Sequence, residues 1–310
     1  MGEVTSLEFR DIDHFREQLC GWDTPAIQIE PGLLNIRLDR VDLGGLIFID
    51  VRVSRKVMDH SRPRPGWFKC VVNLSPAVFC GVEVNAGHLT VLTPGREYRS
   101  ILTSGWRSIE IIVSSSALAD EGLCLPSQLA ADPENAMIDL PVELVGIFRG
   151  LADAAFRRDV AVRMKPAPLR RALLRALDKA FSIGVYGRRG DGRARAADGY
   201  DLARRMIRCI ESRFGQRLTV NELAGELDVT PRALHYAARA AIGVSPHDLI
   251  QAFRLNQVRS ELWTARMSEP NITTAALTQD FTHLGRFSQQ YRTLFGELPS
   301  QTVQRVRQLA

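Results

Sequence analysis

The sequence predicts a two-domain α+β protein: an antiparallel β-barrel with flanking helices at the front and an all-α tandem of helix-turn-helix units at the rear. Three observations lead there. Short strand patterns follow one another closely over residues 34–113, helical periodicity replaces them from Pro141, and one helix–turn–helix pattern occurs twice after residue 200. A chain of 310 residues is long for a single core, and 45% hydrophobic content is that of a globular protein.

The front half alternates with a period of two. Leu34, Ile36 and Leu38 interleave with Asn35, Arg37 and Asp39, as in a half-buried strand, and Leu46–Val53 is the apolar run of a buried one. After a Pro/Arg-rich break at 62–66, strand patterns follow at 68–74, 78–84 and His88–Leu92. Asn85-Ala86-Gly87 and Pro94-Gly95 supply turn residues, and Ser104-Gly105 turns the chain from Tyr98–Leu102 into 106–113. Strands this short and evenly spaced favour an antiparallel barrel or sandwich, and the fold class expected is a cupin-like barrel, whose mouth can hold a small molecule. Trp67, Glu83, His88 and Tyr98 are the polar or aromatic candidates for an effector pocket.

No catalytic set accompanies them. His60 and His88 lack a third residue at metal-ligand spacing, and no GxSxG, Walker or dinucleotide fingerprint is present, so neither metal nor cofactor is expected. The five cysteines are scattered without a CxxC pair and read as reduced thiols of a cytoplasmic protein. No apolar run approaches the length of about 20 residues that a membrane span requires, and the first residues lack the order of a signal peptide.

From Pro141 the period becomes helical. Val142, Leu144, Val145, Phe148, Leu151, Ala152 and Ala155 form one apolar face, and Leu173, Leu174, Leu177 and Phe181 form another on a helix over 169–183. Such leucine faces either cover the barrel or pair with a second subunit. The glycine- and arginine-rich segment 184–199 reads as a flexible basic linker. The resulting division is 1–140 barrel, 141–183 helical docking or dimerisation segment, 184–199 linker, and 200–310 tandem helix-turn-helix.

In the rear domain, Asp228-Val229-Thr230 answers to Asp280-Phe281-Thr282, and Gly243-Val244-Ser245-Pro246 answers to Gly296-Glu297-Leu298-Pro299. Thr219 with Glu222 forms a capping box, Thr230 caps a helix opened by Pro231, and Ser245 caps the long connecting helix. In the second copy Leu284, Phe287, Tyr291, Leu294 and Phe295 make an inward stripe, while Arg286, Gln289, Gln290 and Arg292 lie off it. Arginine and glutamine are shaped for paired hydrogen bonds to guanine and adenine edges. In the first copy Arg232, His235, Tyr236 and Arg239 face outward. A rigid connecting helix fixes the spacing of two reading helices, which must reach grooves about 34 Å apart or bend the DNA.

These residues, together with Leu223-Ala224, Arg254-Leu255, Ile272, Phe287-Ser288, Tyr291-Arg292, Phe295-Gly296 and Pro299-Ser300, resemble the tandem helix-turn-helix domain of AraC/XylS-type transcription regulators. The resemblance covers about a third of the chain. It implies base reading by Arg232, His235, Tyr236, Arg286, Gln289 and Gln290, and phosphate contacts by Arg239 and Arg292. It further implies double-stranded promoter DNA, RNA polymerase, a small-molecule effector and a second copy of the chain as partners. Two positions depart from the family pattern: Asp280 stands where glycine is usual, and Ala238 replaces a bulky aromatic. The front half, with Phe9, Trp22 and residues 28–32, is loosely similar to the effector domain of the ethanolamine-regulator branch.

Charge agrees with that division. Residues 1–163 carry 17 Lys+Arg against 22 Asp+Glu, whereas residues 201–310 carry 14 against 10 and the segment between them 9 against 3. An acidic front and basic rear suit a sensor joined to a nucleic-acid-binding module. The expected function is an effector-responsive, sequence-specific DNA-binding regulator without enzymatic activity. The alternative is a barrel-fold binding protein or enzyme with a helical assembly tail.

Overall fold

A computed structural model describes residues 2–18, 26–123, 137–157, 159, 163–183, 193–213, 215–265 and 270–308. Trp22 and residues 184–192 of the expected linker lie outside them.

Twelve antiparallel strands are described in the front domain. A seven-stranded sheet has the order β1 (Val4–Phe9), β3 (Ile36–Asp42), β4 (Leu46–Val53), β11 (Trp106–Ser114), β6 (Trp67–Asn73), β9 (His88–Leu92), β12 (Met137–Asp139). A five-stranded sheet has the order β2 (Ala26–Gln28), β5 (Val57–Ser61), β10 (Tyr98–Leu102), β7 (Ala77–Phe79), β8 (Val82–Val84). The sheets face one another in the cupin-like manner and remain two separate ladders. Val51, Val53, Val71, Phe79, Leu92 and Ile112 share the core between them. The expected single strand over 78–84 is a hairpin instead, because Cys80 (φ 46°) and Gly81 (φ 81°) form a two-residue turn with both residues left-handed.

The run of apolar residues in β4 has a plain cause: both faces are buried. Ile47, Ile49, Val51 and Val53 point toward the second sheet, while Leu46 and Phe48 point toward a helical layer. That layer is α3 (Val142–Ala155) and α4 (Pro166–Ser182); α1 (Ile12–Gln18) and the short α2 (Ser115–Asp120) complete the domain. Leu144, Phe148, Leu173, Leu174 and Leu177 lie in one core with Cys70, Val72, Ile109 and Ile111 of the sheet. The leucine faces therefore cover the sheet.

The rear domain comprises α5 (Arg193–Ser212), α6 (Val220–Glu226), α7 (Pro231–Ala241), α8 (Pro246–Thr264), α9 (Ile272–Thr278), α10 (Leu284–Phe295) and α11 (Pro299–Gln308). Helix α5 begins at Arg193, inside the stretch expected to be linker; the arginine- and alanine-rich run there favours helix. The rear core takes in Ile29, Met58 and Ile101 from the front domain, so an apolar joint connects the two halves.

Candidate nucleic-acid interface

Both helix-turn-helix units are built by the expected local chemistry. Thr219 Oγ1 accepts from the Glu222 amide at 3.2 Å while Glu222 Oε2 accepts from the Thr219 amide at 2.7 Å, closing the capping box at the start of α6. Thr230 and Asn271 cap α7 and α9 through the amides of Ala233 and Thr274. The turns of the two copies share one backbone signature: Asp228 has φ 53° and Asp280 φ 62°. Both aspartates thus occupy the left-handed region, which their short polar side chains tolerate. Asp280 also lies 3.5 Å from the Arg254 guanidinium.

The long helix of the second copy, α10, rests on a ladder of rings. Phe281 meets Phe287 at 5.0 Å between centroids, Phe287 meets Tyr291 at 5.7 Å, and Tyr291 meets Phe295 at 4.6 Å. Leu284 departs from the expected inward stripe: it stands in the first turn and is 39% exposed. In the first copy Leu234, Ala237 and Ala238 are buried without an aromatic partner among them, and α5 packs along α7. Small side chains at 237 and 238 permit that close approach.

On the opposite faces, Arg232, His235, Tyr236 and Arg239 of α7 are exposed, as are Arg286, Gln289 and Arg292 of α10; Gln290 is half-buried. The structure thus gathers the expected base-reading residues into two outward faces. Tyr236 is 64% exposed, and Arg232 leans on it with Nη2 donating to Tyr236 Oη at 3.2 Å. This pairing holds the guanidinium outward before any ligand arrives.

The candidate effector residues are placed differently. A cavity between the two sheets is lined by apolar residues together with Lys69, Glu110, Asp59, Asn73, Thr90 and Ser100, and by none of Trp67, Glu83, His88 or Tyr98. His88 Nε2 lies 2.5 Å from Asp139, Arg64 stacks over the Trp67 ring, Glu83 is exposed, and Tyr98 Oη bonds Thr93. Inside the cavity Lys69 Nζ lies 3.0 Å from Glu110 Oε2. Burial pulls the Lys69 ammonium down, but Glu110 and Asp59 outweigh it and raise it above the usual lysine range. The missed signal was the alternation Lys69, Val71, Asn73 along β6, which points polar groups into the barrel.

A second feature escaped sequence reading because its partners are about 250 residues apart. Asp11 is 0% exposed and accepts from Arg259 Nε at 2.9 Å and Arg305 Nη2 at 2.8 Å, and Glu297 lies 3.0 Å from Arg259. Nearby, Gln28 and Asn256 exchange hydrogen bonds at 3.0 and 2.9 Å, and Arg99 grips Glu211 with two bonds of 2.9 Å. The end of α10 is closed by Gly296 (φ 74°) and by the front domain. The Gly32 amide and Gln28 Nε2 both donate to the Leu294 carbonyl, at 3.0 and 2.7 Å. A Cβ on Gly296 would come within 2.9 Å of the Leu33 backbone, so both its backbone angle and this close approach require glycine.

The ion cluster sets the expected response to pH. Burial and the neighbouring Asp11 carboxylate push the Asp13 carboxyl up to about 6. Burial pushes Asp11 up as well, but Arg259 and Arg305 outweigh it and hold Asp11 below the usual carboxylate range. A raised carboxyl makes the folded state bind the extra proton, so Asp13 adds stability as pH falls from about 6 toward its ordinary 3.8. Asp11 has the opposite sign: its contribution is full above the ordinary value and is lost as pH falls below it. Urea midpoints are expected to rise from about pH 7 to 5 and to drop below about pH 4. Asp13→Asn should flatten the first limb and keep the second; an unchanged first limb would exclude Asp13 as its source.

Comparison with known proteins places these features. Residues 223–305 match a family model described as a helix-turn-helix domain. The XylDLEGF operon transcriptional activator 2 of Pseudomonas putida is 33% identical over 106 residues, covering 34% of this chain and 68% of that protein. The XylDLEGF operon transcriptional activator 3 of the same organism is 33% identical over 114 residues, which are 35% of this chain and 33% of that one. The chain thus spans about a third of the length of that longer curated relative. Among solved structures, the AraC-like transcriptional activator CuxR is 14% identical, with a TM-score of 0.41 over 83% of this chain and 96% of that one.

Proposed function

The chain belongs to the AraC/XylS family of transcription regulators, and from that premise we propose that it binds a specific promoter site and regulates transcription in response to a small molecule held in its front domain. One observation carries the reading: two outward faces, Arg232–His235–Tyr236 and Arg286–Gln289–Gln290, stand on matched helix-turn-helix frames joined by α8. Arg239 and Arg292 flank them as phosphate contacts. A second copy of the chain and RNA polymerase complete the proposed assembly, in the cytoplasm, and no enzymatic step is assigned.

The effector site we assign is the cavity between the sheets. Lys69, Glu110 and Asn73 would orient the molecule, and the apolar lining would supply affinity. Ile12 and Ala26 line that cavity and lie beside Asp11 and Gln28, which touch α8, α10 and α11. The effector signal therefore runs through α1 and β2 to the rear domain. The helical pair α3–α4, on the outer side of the larger sheet, is left out of this route.

Arg286→Ala is expected to weaken binding to a site selected from randomised duplexes by about 1–3 kcal/mol and to relax one base position. Arg292→Ala should weaken all sequences alike and lower the salt dependence. Selection followed by a salt titration measures both. An Arg286→Ala protein with unchanged site and affinity would refute the assigned reading face.

A further inference from the structure

We propose that the cleft between the two helix-turn-helix units is itself a DNA-backbone site, with Arg217, His247 and His283 as phosphate contacts beyond the two reading faces. The inference rests on the DNA-binding reading above and adds residues to it. One wall of the cleft is the second reading helix, through Arg286 and Gln290. The other wall is the entry to α6, with Arg217, and the first turns of α8, with His247 and Arg254. His283, the N-cap residue of α10, stands at its edge.

Exposure points the same way. Arg217, His247, His283 and Arg286 are all exposed; Arg217 lies near enough to Glu222 to act on its carboxyl, and His247 is 3.6 Å from Asp248. The acid in the cleft, Asp280, lies against Arg254, which also donates to the Gln216 carbonyl at 3.3 Å. That pair is inward-looking and holds the second turn against the approach to α6. What remains facing outward in the lining is arginine, imidazole and the hydroxyls of Thr219 and Thr282, with the exposed Asp248 carboxylate 3.6 Å from His247 at the margin.

Geometry names the ligand. Two reading helices placed in successive major grooves leave one minor groove, with its bordering phosphates, over whatever surface lies between them. The cleft runs from α10 to the entry of α6 in the other unit, with no α7 residue in its lining, and we assign to it the backbone that borders the α10 face. A row of phosphodiesters is the anion that this position presents, and arginine and histidine are fitted to hold it.

The test uses the full-length chain and a duplex of about 20 base pairs of random sequence, titrated with salt, beside the selected specific duplex. Removing one charged side chain from a phosphate lowers the slope of log K against log salt by about 0.9. Arg217→Ala should lower the slope by about that amount on both duplexes, weaken both several-fold and keep the selected base preference; Arg217→Lys should restore the slope. Inorganic phosphate at matched ionic strength should not compete, whereas competition would assign the cleft to a free anion and overturn the proposal. If the wild type binds, Arg286→Ala relaxes base preference, and the Arg217 variants keep the full slope, the cleft is not a backbone site although the reading face stands. A wild type with no salt-dependent DNA binding would overturn both readings.

Discussion

Asp11→Ala is expected to cost about 3–5 kcal/mol of stability, because it leaves two guanidinium groups facing one carboxylate in a buried site. Arg259 is almost wholly enclosed, with a 3% exposed side chain, and its guanidinium carbon lies 4.5 Å from the centroid of the Phe295 ring. Without Asp11, Glu297 is the one carboxylate left within ion-pair distance of Arg259 and Arg305 among the described residues, with Asp13 acting on Arg259 from further away. The loss should appear in urea unfolding of the whole chain, and in DNA binding as well, since α8 and α11 lose their anchor on the front domain. Replacing Asp11 and Arg259 together with apolar residues of similar size should recover much of the stability, because a buried pair is costly to break and cheap to remove whole. A single Asp11→Ala variant as stable as wild type would show that the cluster is solvated in solution.

Leu177→Asp should be at least as damaging. Leu177 is 0% exposed, in the core shared by α3, α4 and the larger sheet. The substitution removes a buried leucine, worth about 2–5 kcal/mol, and adds a carboxylate with no assigned partner. We expect the front domain to lose its helical layer, seen as early melting by circular dichroism. Val142→Asp on the same layer is the control: Val142 is 84% exposed, and its change should stay within about 0.5 kcal/mol. Equal melting of both variants would contradict the docking of α3 and α4 on the sheet.

What could be read from the sequence follows the range of the forces involved. The rear domain was legible because its signals are local: caps at Thr219, Thr230 and Ser245, apolar residues at helical spacing, and two matching turns at Asp228 and Asp280. The strands with regular alternation or continuous apolar runs were legible too. Strands β1, β2, β5 and β12 were missed, being short, polar or defined only by a distant partner, as β12 is by β9. The outward placement of Arg232, His235 and Tyr236 on α7 and of Arg286 and Gln289 on α10 was legible because a helix sets it by period alone. The cavity polar groups did not, because Lys69 and Glu110 are neighbours only once β6 and β11 pair. Likewise Asp11 and Arg259 carry no local sign of meeting.

Gly32 donates from the front domain to the last carbonyls of α10, at 3.0 Å from Leu294 and 3.2 Å from Thr293. A helix end whose carbonyls are left without partners frays, and fraying is counted in residues, not in ångströms of displacement. Withdrawal of residues 28–32 would shorten α10 from its C-terminal end and free the turn that carries Arg292. The length of α10 thus depends on contacts made by the front domain, a dependence that needs no rotation of either domain. Amide exchange at Phe295 and Gly296 reads that length directly, and it should quicken in a Gln28→Ala variant, which removes the Nε2 donor to the Leu294 carbonyl.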